Sequence, residues 1–255
     1  MSKIALITGA TSGIGWATAE FLANEGYDLV ICGRREERLQ ELSDKLSVKT
    51  HCLVFDVREK DAVLAAIDGL PAAWKAIDVL VNNAGNAHGM SKIQDGDIAD
   101  WDAMIDINVK GLLYVTKAII PGMVERGSGH VVNIGSVAGK EVYPNGNVYC
   151  ASKHAVDAVN NGMRLDLNGT GVKVSQVCPG LVETEFSMVR FKGDEDRSKS
   201  VYEGFDALKA EDIADVVRFI VTRPAHVNIS DTIILAAAQA GSTLVDRTGK
   251  YLEKN

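Results

Sequence analysis

The sequence predicts an α/β fold: one doubly wound domain whose seven-stranded parallel sheet is covered by helices on both faces. Three observations predict it. Short β-branched runs alternate with longer stretches of helical period. Seven such runs are separated by six crossovers. No linker, repeat or low-complexity segment divides the 255 residues, so residues 1–255 are read as a single domain.

In chain order the strand-like runs are "KIALIT", "DLVICG", "KTHCLVF", "IDVLVN", "HVVNIG", "VKVSQV" and "DTIILA". The helical stretches between them are "GWATAEFLANEG", "REERLQELSDKL", "EKDAVLAAIDGL", a long one from Asp97 to Arg126, "NVYCASKHAVDAVNNGMRLDL" and "AEDIADVVRFIV". One segment breaks the rhythm. Residues 183–208, "ETEFSMVRFKGDEDRSKSVYEGFDAL", are charged and carry little apolar period. An insertion after the carboxyl end of a strand is where a lid over a site would lie, the alternative being a disordered surface loop. Its aromatic residues, Phe186, Phe191, Tyr202 and Phe205, favour a segment that packs on something.

The charge balance narrows the partners. Lys plus Arg total 27 and Asp plus Glu total 34, a formal net charge of −7. An acidic chain without a basic run gives no reason to expect nucleic acid. The apolar run "IALITGA" starts at residue 4, so no signal peptide is expected. No apolar stretch approaches membrane-spanning length, so no membrane partner is expected. The cysteines, Cys32, Cys52, Cys150 and Cys178, form no CxxC pair, and the histidines show no metal-ligand spacing. Buried thiols of a reducing compartment and a cytoplasmic location are expected, with no metal.

"TGATSGIG" follows the first strand and opens a helix, with Gly9, Gly13 and Gly15 spaced G-x-x-x-G-x-G. Such a turn needs glycine for its backbone angles and for close approach to a diphosphate, and the helix behind it offers free N–H groups and a positive dipole end. The expected architecture is therefore of Rossmann type. The second strand ends in "CGRREER". A carboxylate there would bind ribose hydroxyls, whereas Arg34 and Arg35 suit the 2′-phosphate of NADP, because a planar guanidinium pairs with phosphate through two parallel bonds. The competing reading makes both arginines helix-surface partners of Glu37 or Glu41. Asp56 and Val57 end the third strand, and "NNAG" at 82–85 ends the fourth. Carboxyl strand ends bind ligands in open sheets, but Asn and Gly also make plain turns.

Tyr149 and Lys153, in "YCASK", lie four apart and so share one helix face, with Ser136 upstream in "GSVAG". A phenol is a poor acid–base at neutral pH, and a neighbouring ammonium would lower its pKa. Alone, the pair also fits an ordinary amphipathic surface, and Ser136 a helix N-cap. Together, "TGATSGIG", "NNAG", the Asn108 of "DINVKG", "GSVAG", "YCASK" and "PGLVET" resemble the short-chain dehydrogenase/reductase family in order and spacing. More narrowly, "GRREERLQEL", "PGMVERG", "GNVYCASK", "VRFKGD" and "RPAHVNI" are similar to its NADP-dependent 3-hydroxy acid dehydrogenases, which act on serine, allo-threonine and related small hydroxy acids. Reductases of small acidic semialdehydes and of sulfoacetaldehyde resemble it too.

The resemblance implies Tyr149 as acid–base, Lys153 as its partner and holder of the nicotinamide ribose, Ser136 on the substrate oxygen, and Asn108 holding a water that links Lys153 to solvent. It implies an NADP site lined by Gly9, Thr11, Ser12, Gly13, Ile14, Gly15, Arg34, Arg35, Asp56, Val57, Asn83, Ala84, Gly85, Tyr149 and Lys153. The loop at Pro179 and Gly180, with Val182 and Thr184, would meet the nicotinamide amide. Trp16 departs from the family pattern, since a small or polar residue is usual after the third glycine.

The substrate reading rests on the lid, whose Arg190, Lys192, Arg197 and Lys199 suit a small anion better than a bulky apolar substrate. Arg190 follows the cofactor loop closely enough to reach the site, and the alternative pairs it with Glu185 or Asp194. Other substrates on the same machinery, such as a sugar, a steroid or an acyl-carrier thioester, form one competing class. A dinucleotide sensor without turnover forms another, and the intact Asn–Ser–Tyr–Lys set argues against it. Small side chains at Ala151, Ala155, Ala158 and Gly162 give the Tyr149 helix a flat face for a partner chain, the alternative being packing on the chain's own sheet; the resemblance implies dimers or tetramers through this region, and a homotetramer is expected.

Overall fold

The computed structural model describes residues 2–251. Seven strands form one sheet: β1 (Ile4–Thr8), β2 (Asp28–Gly33), β3 (Thr50–Val54), β4 (Ile77–Asn82), β5 (Gly129–Ile134), β6 (Val172–Pro179) and β7 (Asp231–Ile234). Their order is β3-β2-β1-β4-β5-β6-β7, and every neighbouring pair is parallel. The doubly wound fold expected from the alternation is therefore present, strand for strand.

Each strand supplies both faces because its side chains alternate. In β1, Ala5 and Ile7 point into one core with Leu29 and Ile31 of β2, while Leu6 points into the other with Val30 and Leu80. The first core is closed by helices α1 (Gly13–Asn24), α2 (Glu36–Lys45) and α9 (Ala210–Val221), through residues such as Leu22, Leu39 and Ile213. The second is closed mainly by α3 (Lys60–Asp68), α5 (Leu112–Glu125) and α6 (Asn147–Asp166), through Val63, Val115 and Met163. Each of the large aliphatic side chains sealed there contributes about 1.5–3 kcal/mol.

The long helical stretch is not continuous. It comprises α4 (Ile98–Ile105) and α5, joined by a π-helical segment, Asp106–Gly111, that carries Asn108. Such a bulge carries an extra residue in the turn and recurs at functional sites. Residues 183–208 are ordered by two short helices, α7 (Phe186–Arg190) and α8 (Glu195–Ser200). A parallel bridge from Val182 to Leu208 closes the base of this segment. Its aromatics pack as expected: Phe205 is buried with Ala236 and Ala238, Tyr202 donates to the Val182 carbonyl, and Phe186 meets the Tyr149 ring edge-on. No helix among the described residues is long and apolar enough to cross a membrane.

Strand order reverses between β1 and β4. At this switch point the loops after the two strands diverge and leave a crevice at the carboxyl edge of the sheet.

Candidate active site

The crevice is a cleft of about 370 Å³. One end is backbone. Gly9 and Gly13 adopt φ of +67° and +53°, angles that other residues rarely reach. The first turn of α1 carries no acidic residue, and its N-cap, Ser12, makes no side-chain cap bond. The free N–H groups and the positive dipole end of α1 therefore face the cleft, and Thr11, Ser12 and Ile14 line it with them. Gly15 does not line it. A Cβ there would stand 2.3 Å from the Gly9 carbonyl oxygen, so its part is to let α1 sit close behind the loop. Trp16 turns away and lies under Arg38 and Lys45, whose cations stand 4.7 and 4.9 Å from its ring.

Both arginines after β2 line the cleft. Neither pairs with Glu37 or Glu41; Glu41 takes Arg38 and Lys45 instead. Arg34 reaches across to Asp56 at 3.6 Å. Arg35 donates to the Thr11 carbonyl and hydroxyl at 3.2 and 3.1 Å, which holds it over the glycine loop, and to Glu185 of the 183–208 segment at 3.1 Å. Asp56 and Val57 line the wall beyond. Burial opposes the Asp56 charge, but bonds from Arg58 outweigh it and hold its carboxyl below the usual range.

The loop after β4 is part of the cleft rather than a plain turn: Asn83, Ala84 and Gly85 line it. The Asn83 amide donates to the Thr8 and Gly9 carbonyls at 2.9 and 3.2 Å, which braces the glycine loop. Next to it, Asn86 faces the cleft with a buried side-chain oxygen that has no hydrogen-bond partner among the described residues. Opposite, Pro179, Gly180, Val182 and Thr184 form the far wall. Thr184 leans over the glycine loop, so that a Cβ on Gly13 would stand 3.3 Å from its side chain. Free helix N–H groups, two arginines and a glycine floor fit a dinucleotide carrying an extra phosphate.

The other end is built from side chains. Ser136, Tyr149 and Lys153 meet there, all buried. Ser136 follows β5 and caps a single 3₁₀ turn, accepting from Ala138 N at 3.1 Å, so its cap role and its place in the cleft coexist. Lys153 donates to the Ile134 carbonyl at 3.1 Å, and burial pulls its pKa down to about 8. The sequence argument makes Lys153 the cation that acts on the phenol. In the structure burial raises the Tyr149 pKa, Tyr143 adds to the rise, and Ser136 and the Arg190 guanidinium oppose it. Arg190 lies 5.4 Å from the centre of the Tyr149 ring.

Asn108 stands behind the cleft and does not line it. Its side-chain oxygen accepts from Asn86 N at 2.9 Å, and its amide donates to Asn86 O and the Ser152 hydroxyl at 2.8 and 3.0 Å. It thus ties the loop after β4 to α6.

Arg190 pairs with neither Glu185 nor Asp194. It donates to the Tyr143 hydroxyl at 2.9 Å and lies 5.6 Å from the centre of that ring. No carboxylate pairs with it among the described residues. Lys192 is committed, at 2.9 Å to Asp100 and 3.7 Å to Asp97. Sequence reasoning missed Tyr143, Asn86 and the reach of Glu185 to Arg35. No spacing rule signals a pair 150 residues apart.

The family model described as short chain dehydrogenase matches residues 3–195. Sulfoacetaldehyde reductase 2 of Chromohalobacter salexigens is 48% identical over 251 residues, spanning 97% of this chain and 100% of that protein. The NADP-dependent 3-hydroxy acid dehydrogenase YdfG of Escherichia coli (strain K12) is 45% identical over 238 residues, 93% of this chain and 96% of its own. Among solved structures, the closed form of a serine dehydrogenase complexed with NADP+ superposes with a TM-score of 0.92 at 45% identity, covering 95% of this chain and 98% of the other.

Proposed function

Because the chain belongs to the short chain dehydrogenase family, we propose that it is an NADP(H)-dependent oxidoreductase that interconverts a small hydroxy acid and its carbonyl counterpart. The substrate is of the 3-hydroxy acid, serine or allo-threonine type. The observation that carries the reading is one cleft with Arg34 and Arg35 at one end and Ser136, Tyr149 and Lys153 at the other.

The nicotinamide, when bound, supplies or accepts the hydride. The protein's own residues do the rest. Arg34 and Arg35 hold the 2′-phosphate, and the first turn of α1 holds the diphosphate. Tyr149, kept neutral by burial, holds a proton ready for the carbonyl oxygen as charge develops there. Ser136 donates a hydrogen bond to that oxygen. Lys153 fixes the nicotinamide ribose, and Asn108 organises the water path behind it. Pro179, Gly180, Val182 and Thr184 orient the amide of the ring. Residues 183–208 act as a lid, and its Arg190, free of any carboxylate partner among the described residues, takes the substrate anion. A pure reductase of a small anionic aldehyde, such as sulfoacetaldehyde, uses the same parts. It is the second reading, favoured by the similarity along 100% of the sulfoacetaldehyde reductase.

The flat outward face of α6, with Ala151 and Ala158 exposed and Gly162 open, is the surface through which the chain would form a homotetramer. The free and mostly buried cysteines favour a cytoplasmic location. The test is a panel of small alcohols and aldehydes, anionic and neutral, with NADP(H) and NAD(H) compared at equal concentration by absorbance at ~340 nm, where reduced nicotinamide absorbs. Turnover confined to NADP(H) and strongest on small anions is expected. Equal turnover with NAD(H), or a preference for bulky neutral alcohols, would overturn the reading.

A further inference from the structure

We infer that Lys140 is a positioning residue for the reaction: it clamps the turn that carries Ser136 onto the helix that carries Tyr149 and Lys153. The inference rests on the reading of Ser136 given above. The turn, Val137–Gly139, is short and has few bonds of its own. Gly139 N donates to Ser136 O at 2.9 Å, and Lys140 N and Glu141 N donate to Val137 O at 2.9 and 3.0 Å. It lies directly on α6. A Cβ on Gly139 would stand 2.6 Å from the Lys153 carbonyl oxygen, so only glycine permits this approach.

What holds the turn down is the next residue. The Lys140 ammonium bonds to Asp157, one helical turn beyond Lys153 on α6, and to Asp231 at the start of β7. One cation thus joins the Ser136 turn, the catalytic helix and the last strand. The three side chains are partly shielded, at 21%, 25% and 37% exposure. Burial opposes the Lys140 charge, yet the two carboxylates outweigh it and raise its pKa to about 12, so the clamp stays charged across the working range of pH. Asp231 is held in turn by a weak bond from the buried Cys178 thiol at 3.6 Å.

Lys140 touches neither the cleft nor a reacting atom; its effect runs through the distance between Ser136 and Tyr149. Misplacing a reacting group by about 1 Å costs roughly 100-fold in rate. Lys140→Met is therefore expected to lower kcat by roughly 10- to 100-fold, with the NADPH dissociation constant, read by fluorescence, within about 2-fold of wild type. The Asp157→Asn/Asp231→Asn pair, which removes both anchors, should do the same and serves if Lys140→Met does not fold. Lys140→Arg should restore much of the rate. The decisive arm is a double-mutant cycle. Ser136→Ala alone should cost roughly 100- to 1,000-fold in kcat, and Lys140→Met added to it should cost nothing further. Amide exchange over 137–141 should quicken in Lys140→Met while β1 and α1 stay protected. Losses that multiply in the double mutant, an unchanged kcat or unchanged exchange over 137–141 would each overturn the inference. If the wild-type protein turns over nothing with NADPH, the oxidoreductase reading fails, and the exchange arm still decides whether Lys140 holds the turn.

Discussion

The two ends of the cleft are built on different terms. At the nucleotide end backbone makes most of the site: glycines with positive φ, the bare first turn of α1 and the loop after β4, all within reach of the switch point, with Arg34 and Arg35 added from the turn after β2. At the reacting end side chains make it. Ser136, Tyr149 and Lys153 come from a 3₁₀ turn and a helix, and Arg190, at the end of α7, lies over the Tyr149 ring beside the cleft, held by Tyr143 from the loop before α6. Backbone geometry follows once the strand and helix form. Side-chain geometry depends on how separately folded segments dock, so it should be the more fragile end, and the end where specificity changes most readily.

The largest effect should come from the reacting end alone. Tyr149→Phe removes the proposed proton donor and should lower kcat by roughly 100- to 10,000-fold, with NADPH affinity nearly unchanged. A parallel loss of NADPH binding would erase the distinction between the two ends. Next, Arg34→Asp with Arg35→Ala attacks the nucleotide end. Charged hydrogen bonds are worth about 1.5–3 kcal/mol each, so NADPH affinity should fall by about 100-fold or more while NADH gains relative to it. Competition binding with both cofactors reads this directly.

Arg190→Met probes specificity. It should lower kcat/KM for an anionic alcohol by roughly 10- to 100-fold and leave a neutral alcohol of similar size nearly unaffected. Equal losses on both would make Arg190 a shaper of the lid. The smallest effect belongs to Glu185→Gln. The Arg35–Glu185 pair is largely exposed and so contributes little by itself, but the carboxylate competes with a phosphate for one guanidinium. NADPH should bind about 2- to 5-fold more tightly to the variant and NADH not at all differently, as expected for one exposed pair. A change of equal size for both cofactors would place Glu185 outside phosphate recognition.

The same contrast explains what could be read from the residues. The glycine loop, the arginines after β2 and the Tyr149–Lys153 pair are local spacings, and local spacing survives in a sequence. The π-helical segment at 106–111 was invisible because it changes which backbone groups pair while the chain stays helical, and no residue type marks such a turn. The partner of Arg190 was invisible because Tyr143 lies 47 residues away, on the loop before α6. Glu185 and Asp194 were nearer in sequence, but α7 points Arg190 away from both, and Asp194 instead caps α8. The surroundings of Tyr149 were not legible for a similar reason. Four residues apart fixes a shared helix face, but it does not say that Lys153 will spend its ammonium on the Ile134 carbonyl. Nor does it say that burial will dominate the phenol.

The central claim is that one cleft joins an NADP(H) site to an acid–base site for a small anionic carbonyl compound. It is tested most directly by following the label from NADPH deuterated at the transferred position. With sulfoacetaldehyde or a small semialdehyde, the wild-type protein should place one deuterium on the carbinol carbon of the alcohol formed, and Tyr149→Phe should bind the labelled cofactor yet transfer almost none. Tight NADPH binding with no deuterium in any small anionic alcohol, from the wild-type protein at saturating aldehyde, would contradict the claim.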